Sequence, residues 1–485
     1  MTNLNDLLSE NNLPLCVDLD GTLVRSDTLF EGILVLLKKA PWYIFVLPFV
    51  LLRGKAFLKS YLAKRANIDF SLLPYNTELI EFLKTQQGRD IVLCTASNKL
   101  IAEGVAKEVG IFNEIISSGD VNIRGEKKAE ILENKYGVKK FDYIGDAPCD
   151  WSVFRSANKQ YLVSSSSHLI KKAKRDFSNI EFFPLKIDKK KEIFCMLRCH
   201  QWVKNLLLFV PVLAAHQLLH LPVILNVFYA FLIFCLCCSG VYIVNDLLDL
   251  ENDRKHFKKR LRPFASGALP LKWGFVLGPS LLLLSFVLSL FLPFNFSITL
   301  LAYLMITSVY SWYVKQKAIM DIIVLACLYT IRIIAGGSAS DIFVSPWLLA
   351  FSLFMFLSLA CVKRVSELKL NTDRISLVAG RGYTPEDMPI ISQFGTSSGF
   401  ISVLVLALYI NANALEHLYA RPWMIWLCCP FILYWIARIW LFTQRGLMEQ
   451  DPVLFAVKDK ISYFILYICI MILFFAGWTG GVVAG

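Results

Sequence analysis

The stretch Asn245-Asp246-Leu247-Leu248-Asp249-Leu250-Glu251-Asn252-Asp253, running on into Arg254, Lys258, Lys259, Arg260 and Arg262, decides how this chain reads. Asp246, Asp249 and Asp253 recur at i, i+3 and i+7, the spacing that lines one face of a helix. They directly follow the apolar run 222–244. Carboxylates at the rim of a membrane span are costly unless they hold cations. Mg²⁺ in turn prefers to bridge carboxylates to substrate phosphates. The spacing therefore predicts a diphosphate-metal clamp at a membrane surface.

Composition agrees. The 485 residues are 56% hydrophobic, and a mean hydropathy of +0.54 is too apolar for an ordinary soluble protein. Residues 1–195 carry charges throughout, whereas 204–482 repeat apolar runs of spanning length. About nine spans are expected, near 205–221, 223–244, 273–292, 296–313, 319–336, 345–362, 397–412, 422–442 and 461–480. Alternate loops hold Arg254 to Lys272, then Lys315 and Lys317, then Lys363, Arg364, Lys369, Arg374 and Arg381, then Arg438, Arg445, Lys458 and Lys460. The loops between them hold only Arg421 among basic residues. This positive-inside pattern predicts cytoplasmic basic loops, a cytoplasmic N-terminal region and an outer tail 481–485, in a bacterial plasma membrane.

The net charge of +12 is thus a topology signal beside anionic lipid headgroups. No basic and aromatic stripe suits nucleic acid. Met1 to Asn12 is polar and slightly acidic, unlike a secretory signal. Most of the thirteen cysteines lie in apolar runs or the cytoplasmic region, which implies reduced thiols. Cys235 and Cys238, inside an expected span, read as packing residues.

The N-terminal region reads as an α/β pattern. Leu15-Cys16-Val17-Asp18-Leu19-Asp20-Gly21 is a short buried strand ending in acids and a glycine turn. Ile91 to Ser97 is a strand ending in hydroxyls, Lys127 and Lys128 open a helical segment, and Phe141 to Asp150 is a strand ending in acids. Polar groups at the carboxyl ends of strands are where such sheets bind ligands. These four motifs, over about residues 13–165, resemble the haloacid dehalogenase (HAD) phosphatase superfamily. The resemblance implies Asp18 as nucleophile, Asp20 as general acid and base and as a further metal ligand, and Thr95 and Lys128 as holders of phosphoryl oxygens. It implies Asp146 and Asp150 as Mg²⁺ ligands with Asp18. Lys127 is a rival for the lysine role. Residues 25–90 would be a helical cap, within which Pro41 to Leu52 is unusually apolar yet too short to span. It fits either cap packing or a membrane-resting surface edged by Lys38, Lys39, Arg53 and Lys55.

Arg198-Cys199-His200-Gln201-Trp202-Val203-Lys204-Asn205, the aspartate stretch and Arg260-Leu261-Arg262-Pro263 together resemble the UbiA superfamily of intramembrane prenyltransferases, across 195–485. That family's second aspartate motif departs here, since Asp321 is followed by Ile322-Ile323-Val324-Leu325. Instead Arg332 lies within a span, where it pairs with Asp321 or anchors a phosphate. The variant set is most similar to the decaprenyl-phosphate 5-phosphoribosyltransferase branch. That branch implies transfer from phosphoribosyl pyrophosphate (PRPP) to a polyprenyl phosphate lipid. Asp246, Asp249 and Asp253 would act catalytically as Mg²⁺ ligands oriented by Asn245. Lys204, Arg254, Arg262, Lys315, Arg332 and Lys363 would meet the added phosphates. His256 reads as structural or phosphate-binding.

The expected fold class is an α/β Rossmann-like HAD domain with helical cap over 1–185, a basic juxtamembrane linker over 186–203, and an all-α polytopic bundle of about nine transmembrane helices over 204–485. The expected activity is bifunctional: phosphoribosyl transfer, then removal of the 5-phosphate from the lipid-linked product for cell-envelope glycan synthesis. The alternative is a prenyltransferase using a prenyl diphosphate and an aromatic acceptor, with a separate phosphatase activity. A third class is an anchored phosphatase whose membrane part only binds lipid.

Overall fold

A computed structural model describes residues 13–86, 88–119, 123–185, 187–369, 382–410, 419–448 and 451–477. Met1 to Asn12, Arg374, Arg381 and the tail 481–485 lie outside the described residues. The chain divides into two compact units. One is Met1–Leu197 with Ile243–Leu277, and the other is Arg198–Tyr242 with Gly278–Gly485. The aspartate stretch therefore belongs to the first unit, a grouping the sequence boundaries at 185 and 203 do not anticipate.

The first unit is built on a parallel sheet of six strands: β1 Leu15–Val17, β2 Ile91–Asn98, β3 Glu114–Ser118, β4 Asp142–Gly145, β5 Gln160–Ser164 and β6 Ile180–Pro184. Their order is β3-β2-β1-β4-β5-β6. Alternation along the strands covers both faces. Leu15, Val17, Leu93, Ile144 and Val163 join one core, while Cys16, Val92, Cys94, Tyr143 and Leu162 join another. Strand order reverses across β1, so the carboxyl ends of β1, β2 and β4 open onto one crevice. Between β1 and β2 come the helices Thr28–Lys39, Tyr43–Leu52, Lys55–Arg65 and Thr77–Thr85.

Among the described residues, eight helices are long and apolar enough to cross a membrane: Leu221–Leu248, Leu271–Ser289, Phe294–Trp312, Met320–Ser340, Pro346–Lys369, Pro385–Ile410, Pro422–Gln444 and Lys460–Gly477. The protein is multi-pass.

The expected fold class is corrected on two counts. The expected span 205–221 is not a spanning helix; it is a 3₁₀-helical run Cys199–Phe209 followed by the short helix Val210–Ala214. The cause is local. Pro211 lacks the amide that would continue an α-helix back to Leu207, and Lys204 and Asn205 are both buried with polar partners. Gly336 admits this run, since a Cβ there would lie 2.8 Å from Leu208 Cα. Second, the chain as a whole is mostly helical, and its N-terminal part is a small parallel sheet with helices. That architecture serves many α/β families, so it does not single out the HAD fold expected from the motifs.

Candidate active sites

In the first unit, β1 delivers Asp18 to the crevice and β4 delivers Asp146. Asp150 follows on a 3₁₀ turn, Pro148–Asp150. One ligand oxygen from each of Asp18, Asp146 and Asp150 lies within 4.8 Å of the others. Among the described residues this is the one group of three metal-ligand side chains drawn so close. Gly21, at φ +83°, makes room for it, because a Cβ there would collide with the Asp146 carboxylate.

Lys128 is buried and donates to Asp18 Oδ1 at 2.7 Å, and to Tyr143 Oη at 2.9 Å. Tyr143 Oη donates to Asp150 Oδ1 at 3.1 Å. Lys127 is exposed, so of the two adjacent lysines it is Lys128 that faces Asp18. Burial raises Asp18 to about 7 against the pull of Lys128, with Asp150 adding to the rise. Burial, then Asp18 and Asp150, hold Asp146 well above the usual carboxylate range. Burial works against the Lys128 ammonium, yet Asp18 and its neighbours raise its pKa overall. Three crowded carboxylates against one ammonium fit a hard divalent cation with oxygen ligands.

Asp20 stands apart from that group. Its Oδ1 accepts from Thr28 N at 2.8 Å and its Oδ2 from Ser97 Oγ at 2.7 Å. Thr95 is fully buried on β2, and its Oγ1 accepts from Ser97 N at 3.0 Å.

The aspartate stretch is not one continuous helix. The helix Leu221–Leu248 stops, and Asp249 caps a second helix, Leu250–Lys255. The interruption is one residue wide, since Asp249 N still donates to Asn245 O and Asp253 N to Asp249 O, each at 2.9 Å. Asp246 and Asp253 converge on one guanidinium nitrogen: Arg262 Nη1 lies 3.0 Å from Asp246 Oδ1 and 2.6 Å from Asp253 Oδ2. Both acids are only 3% exposed, whereas Asp249 and Asn245 are half-buried. Burial raises Asp253 to about 6, although Arg262 pulls it down.

Arg254 does not turn to these acids. It forms a two-point pair with Glu31 of the helix Thr28–Lys39, at 3.1 and 2.6 Å. Its Nε donates to Ala265 O at 3.1 Å. His256 Nδ1 accepts from Lys258 N at 3.2 Å. Gly267, at φ +71°, lets the following loop lie against Arg25, where a Cβ would come within 2.6 Å.

In the second unit, Arg332 is buried and donates to Asn205 Oδ1 at 3.0 Å, Tyr303 Oη at 3.2 Å and the Leu328 carbonyl. No carboxylate pairs with it among the described residues. Asp321 pairs instead with Arg364, Nε to Oδ2 at 2.6 Å, and accepts from Tyr383 Oη. Of the two roles open to Arg332, the pair with Asp321 is thereby excluded. Lys204 pairs with Asp451, and Lys363 is close enough to act on the same carboxylate. Burial opposes the Asp451 charge, but Lys204 and Lys363 hold its pKa below the usual value. Lys315 sits half-buried in the 3₁₀ turn Val314–Gln316. Cys235 and Cys238 pack at Asn205, with Asn205 Nδ2 3.3 Å from Cys235 Sγ.

Sequence reasoning missed Glu31, Tyr143, Tyr303 and Asp451. Two carried a usable signal. Glu31 is the one acid in the apolar run Thr28 to Leu37, and Asp451-Pro452 is an N-cap pair opening a helix.

The UbiA prenyltransferase family model matches residues 206–458. An uncharacterized protein, y4nM of Sinorhizobium fredii, is 32% identical over 464 residues, covering 94% of this chain and 89% of that protein. A decaprenyl-phosphate phosphoribosyltransferase of Mycolicibacterium smegmatis is 38% identical over 178 residues, 36% of this chain and 56% of that protein. A solved UbiA homolog from Archaeoglobus fulgidus, bound to GPP and Mg²⁺, aligns with a TM-score of 0.45 and 17% identity, covering 58% of this chain and 99% of that one. The family match begins beyond the sheet and does not cover Asp18, Lys128, Asp146 or Asp150.

Proposed function

Because the chain belongs to the UbiA prenyltransferase family, we propose that this multi-pass membrane transferase moves 5-phosphoribosyl from PRPP to a polyprenyl phosphate and releases diphosphate. The observation that carries the reading is the convergence of buried Asp246 and Asp253 on a single cationic position, now taken by the Arg262 guanidinium. Bound there, Mg²⁺ would stabilise the charge that develops on departing diphosphate. The C1–diphosphate bond breaks with its electron pair on the leaving group, and a lipid phosphate oxygen forms the new bond to C1. Asp246, Asp249 and Asp253 would hold the metal, and Asn245 would orient them.

Two features favour PRPP over a prenyl diphosphate. Arg332 is buried on neutral partners, and an arginine so placed within a span calls for an anion. A relative that aligns over 178 residues is named a decaprenyl-phosphate phosphoribosyltransferase. Lys204, Lys363 and Lys315 add positive charge to the second unit, and with a metal on Asp246 and Asp253 the Arg262 guanidinium would be released to meet phosphate.

The N-terminal site removes the 5-phosphate from the lipid-linked product. Asp18 attacks phosphorus, and the ester oxygen departs with its electron pair and takes a proton from Asp20. Water, deprotonated by Asp20, then cleaves the acyl phosphate and frees Asp18. Lys128 and Thr95 would hold phosphoryl oxygens, and Asp18, Asp146 and Asp150 would hold Mg²⁺. The reaction takes place on the cytoplasmic face of a bacterial plasma membrane, feeding furanose-containing envelope glycans.

The test supplies purified full-length protein with ribose-labelled PRPP, polyprenyl phosphate and Mg²⁺. Label in the lipid fraction is the expected result. Transfer only from a prenyl diphosphate to an aromatic acceptor refutes the donor assignment.

A further inference from the structure

The helix Tyr43–Leu52, with sequence Tyr-Ile-Phe-Val-Leu-Pro-Phe-Val-Leu-Leu, has no charged side chain on any face. A helix apolar all round is normally buried in a core or in lipid. Here only Val50 is buried, while Tyr43, Val46 and Leu47 pack partly against Leu36, Leu58 and Leu62. Its other side is bare. Trp42, Ile44, Phe45, Phe49, Leu51, Leu52 and nearby Phe57 are between 42% and 83% exposed. So many large apolar side chains side by side exceed what water-facing surfaces ordinarily carry. Cap packing accounts for the inner side and leaves the outer side unexplained.

Charge says what covers it. Between Gly32 and Ile68 there is no Asp or Glu, but there are Lys38, Lys39, Arg53, Lys55, Lys59, Lys64 and Arg65. Lys39, Arg53 and Lys55 border the helix and are exposed. The Arg53 guanidinium lies over the Phe57 ring at 5.4 Å, a stacking that leaves its in-plane N–H edge to meet phosphate. Position argues the same way. Lys38, just before the helix, pairs at 2.7 Å with Glu251, which lies three residues past the end of the spanning helix Leu221–Leu248. The bare helix therefore starts close to where a span leaves the membrane. Ten residues reach about 15 Å, half a bilayer core, so the helix lies along the interface and does not cross it.

We propose that the N-terminal unit rests on the anionic membrane surface through this helix. Trp42, Phe45, Phe49 and Leu52 enter the headgroup–acyl boundary, and Lys39, Arg53 and Lys55 meet lipid phosphates. A lipid-linked phosphate ester then needs no extraction from the bilayer to reach the first unit.

The test places benzoylphenylalanine at Phe45 or Phe49 of the full chain in nanodiscs of phosphatidylcholine, with or without phosphatidylglycerol. Exposed Lys107 serves as the control position. Irradiation should give lipid adducts at 45 and 49, several-fold more with phosphatidylglycerol, and none at 107. Adducts to protein alone, no lipid adduct, or equal lipid adducts at all three positions overturn the proposal. Crosslinking reads contact and not turnover, so its failure is distinct from failure of the transferase assay.

Discussion

The pair between Glu31 and Arg254 ties the helix bearing Asp253 to the N-terminal sheet unit, and breaking it tests how the aspartate site is positioned. Both side chains are nearly water-free, 4% and 6% exposed, and the two-point contact is at 2.6 and 3.1 Å. Ser26 Oγ also donates to Glu31 at 2.5 Å, so the carboxylate is fixed from both sides. Removing one partner of such a pair leaves a buried charge alone, at a cost of about 3–5 kcal/mol. Glu31→Gln and Arg254→Gln should each lower stability by that order, read from thermal unfolding of the full chain in detergent. Glu31→Leu with Arg254→Met should recover most of the loss, since no stranded charge remains. Turnover separates positioning from binding. With Arg254 as a positioning residue, Glu31→Gln lowers kcat for transfer and leaves KM for PRPP nearly unchanged. If Arg254 instead holds substrate phosphate, as its sequence context suggests, Arg254→Gln raises KM and Glu31→Gln does not touch turnover. Single variants within about 0.5 kcal/mol of wild type, or strictly additive effects in the double variant, refute the coupling.

Other outcomes follow from the same geometry. Asp253→Asn should lower ribosyl transfer on the order of 10²-fold or more, with phosphoester hydrolysis intact, as measured with separate labelled substrates. Asp18→Asn should leave transfer unchanged while the 5-phosphorylated lipid accumulates on thin-layer chromatography; an unaltered product ratio removes the sequential scheme. Gly336→Ala should cost about 1–3 kcal/mol in thermal unfolding, because its methyl meets the Leu208 backbone. Arg438, then Ser462, holds Asp459 at about 2, below its ordinary 3.8. The stabilisation is thus present above pH 4 and fades as pH falls towards 2. Arg438→Met should flatten that acid-limb loss in unfolding temperature.

Much of the N-terminal site was legible because strand ends are local. A buried run followed by Asp-x-Asp-Gly places Asp18 at a carboxyl edge whatever the rest of the chain does, and Asp146 follows by the same logic. The choice of Lys128 over Lys127 was not legible. Adjacent helical residues point about 100° apart, and only the packed helix shows which one faces Asp18. Eight spans could likewise be read from apolar length. The ninth could not, since 205–221 is apolar enough to look like a span. Its Lys204 and Asn205 bond to Asp451 and Arg332, more than a hundred residues away in sequence.

Apolar run length and charge placement therefore determined, from sequence alone, that this chain threads a membrane and carries acids at a span's end, because both are additive properties of neighbouring residues. Which acids meet was decided only by tertiary structure. Asp246 and Asp253 come together on Arg262, while Arg254 turns to Glu31. A buried charge takes the partner that packing brings within reach, and packing sums over the whole chain.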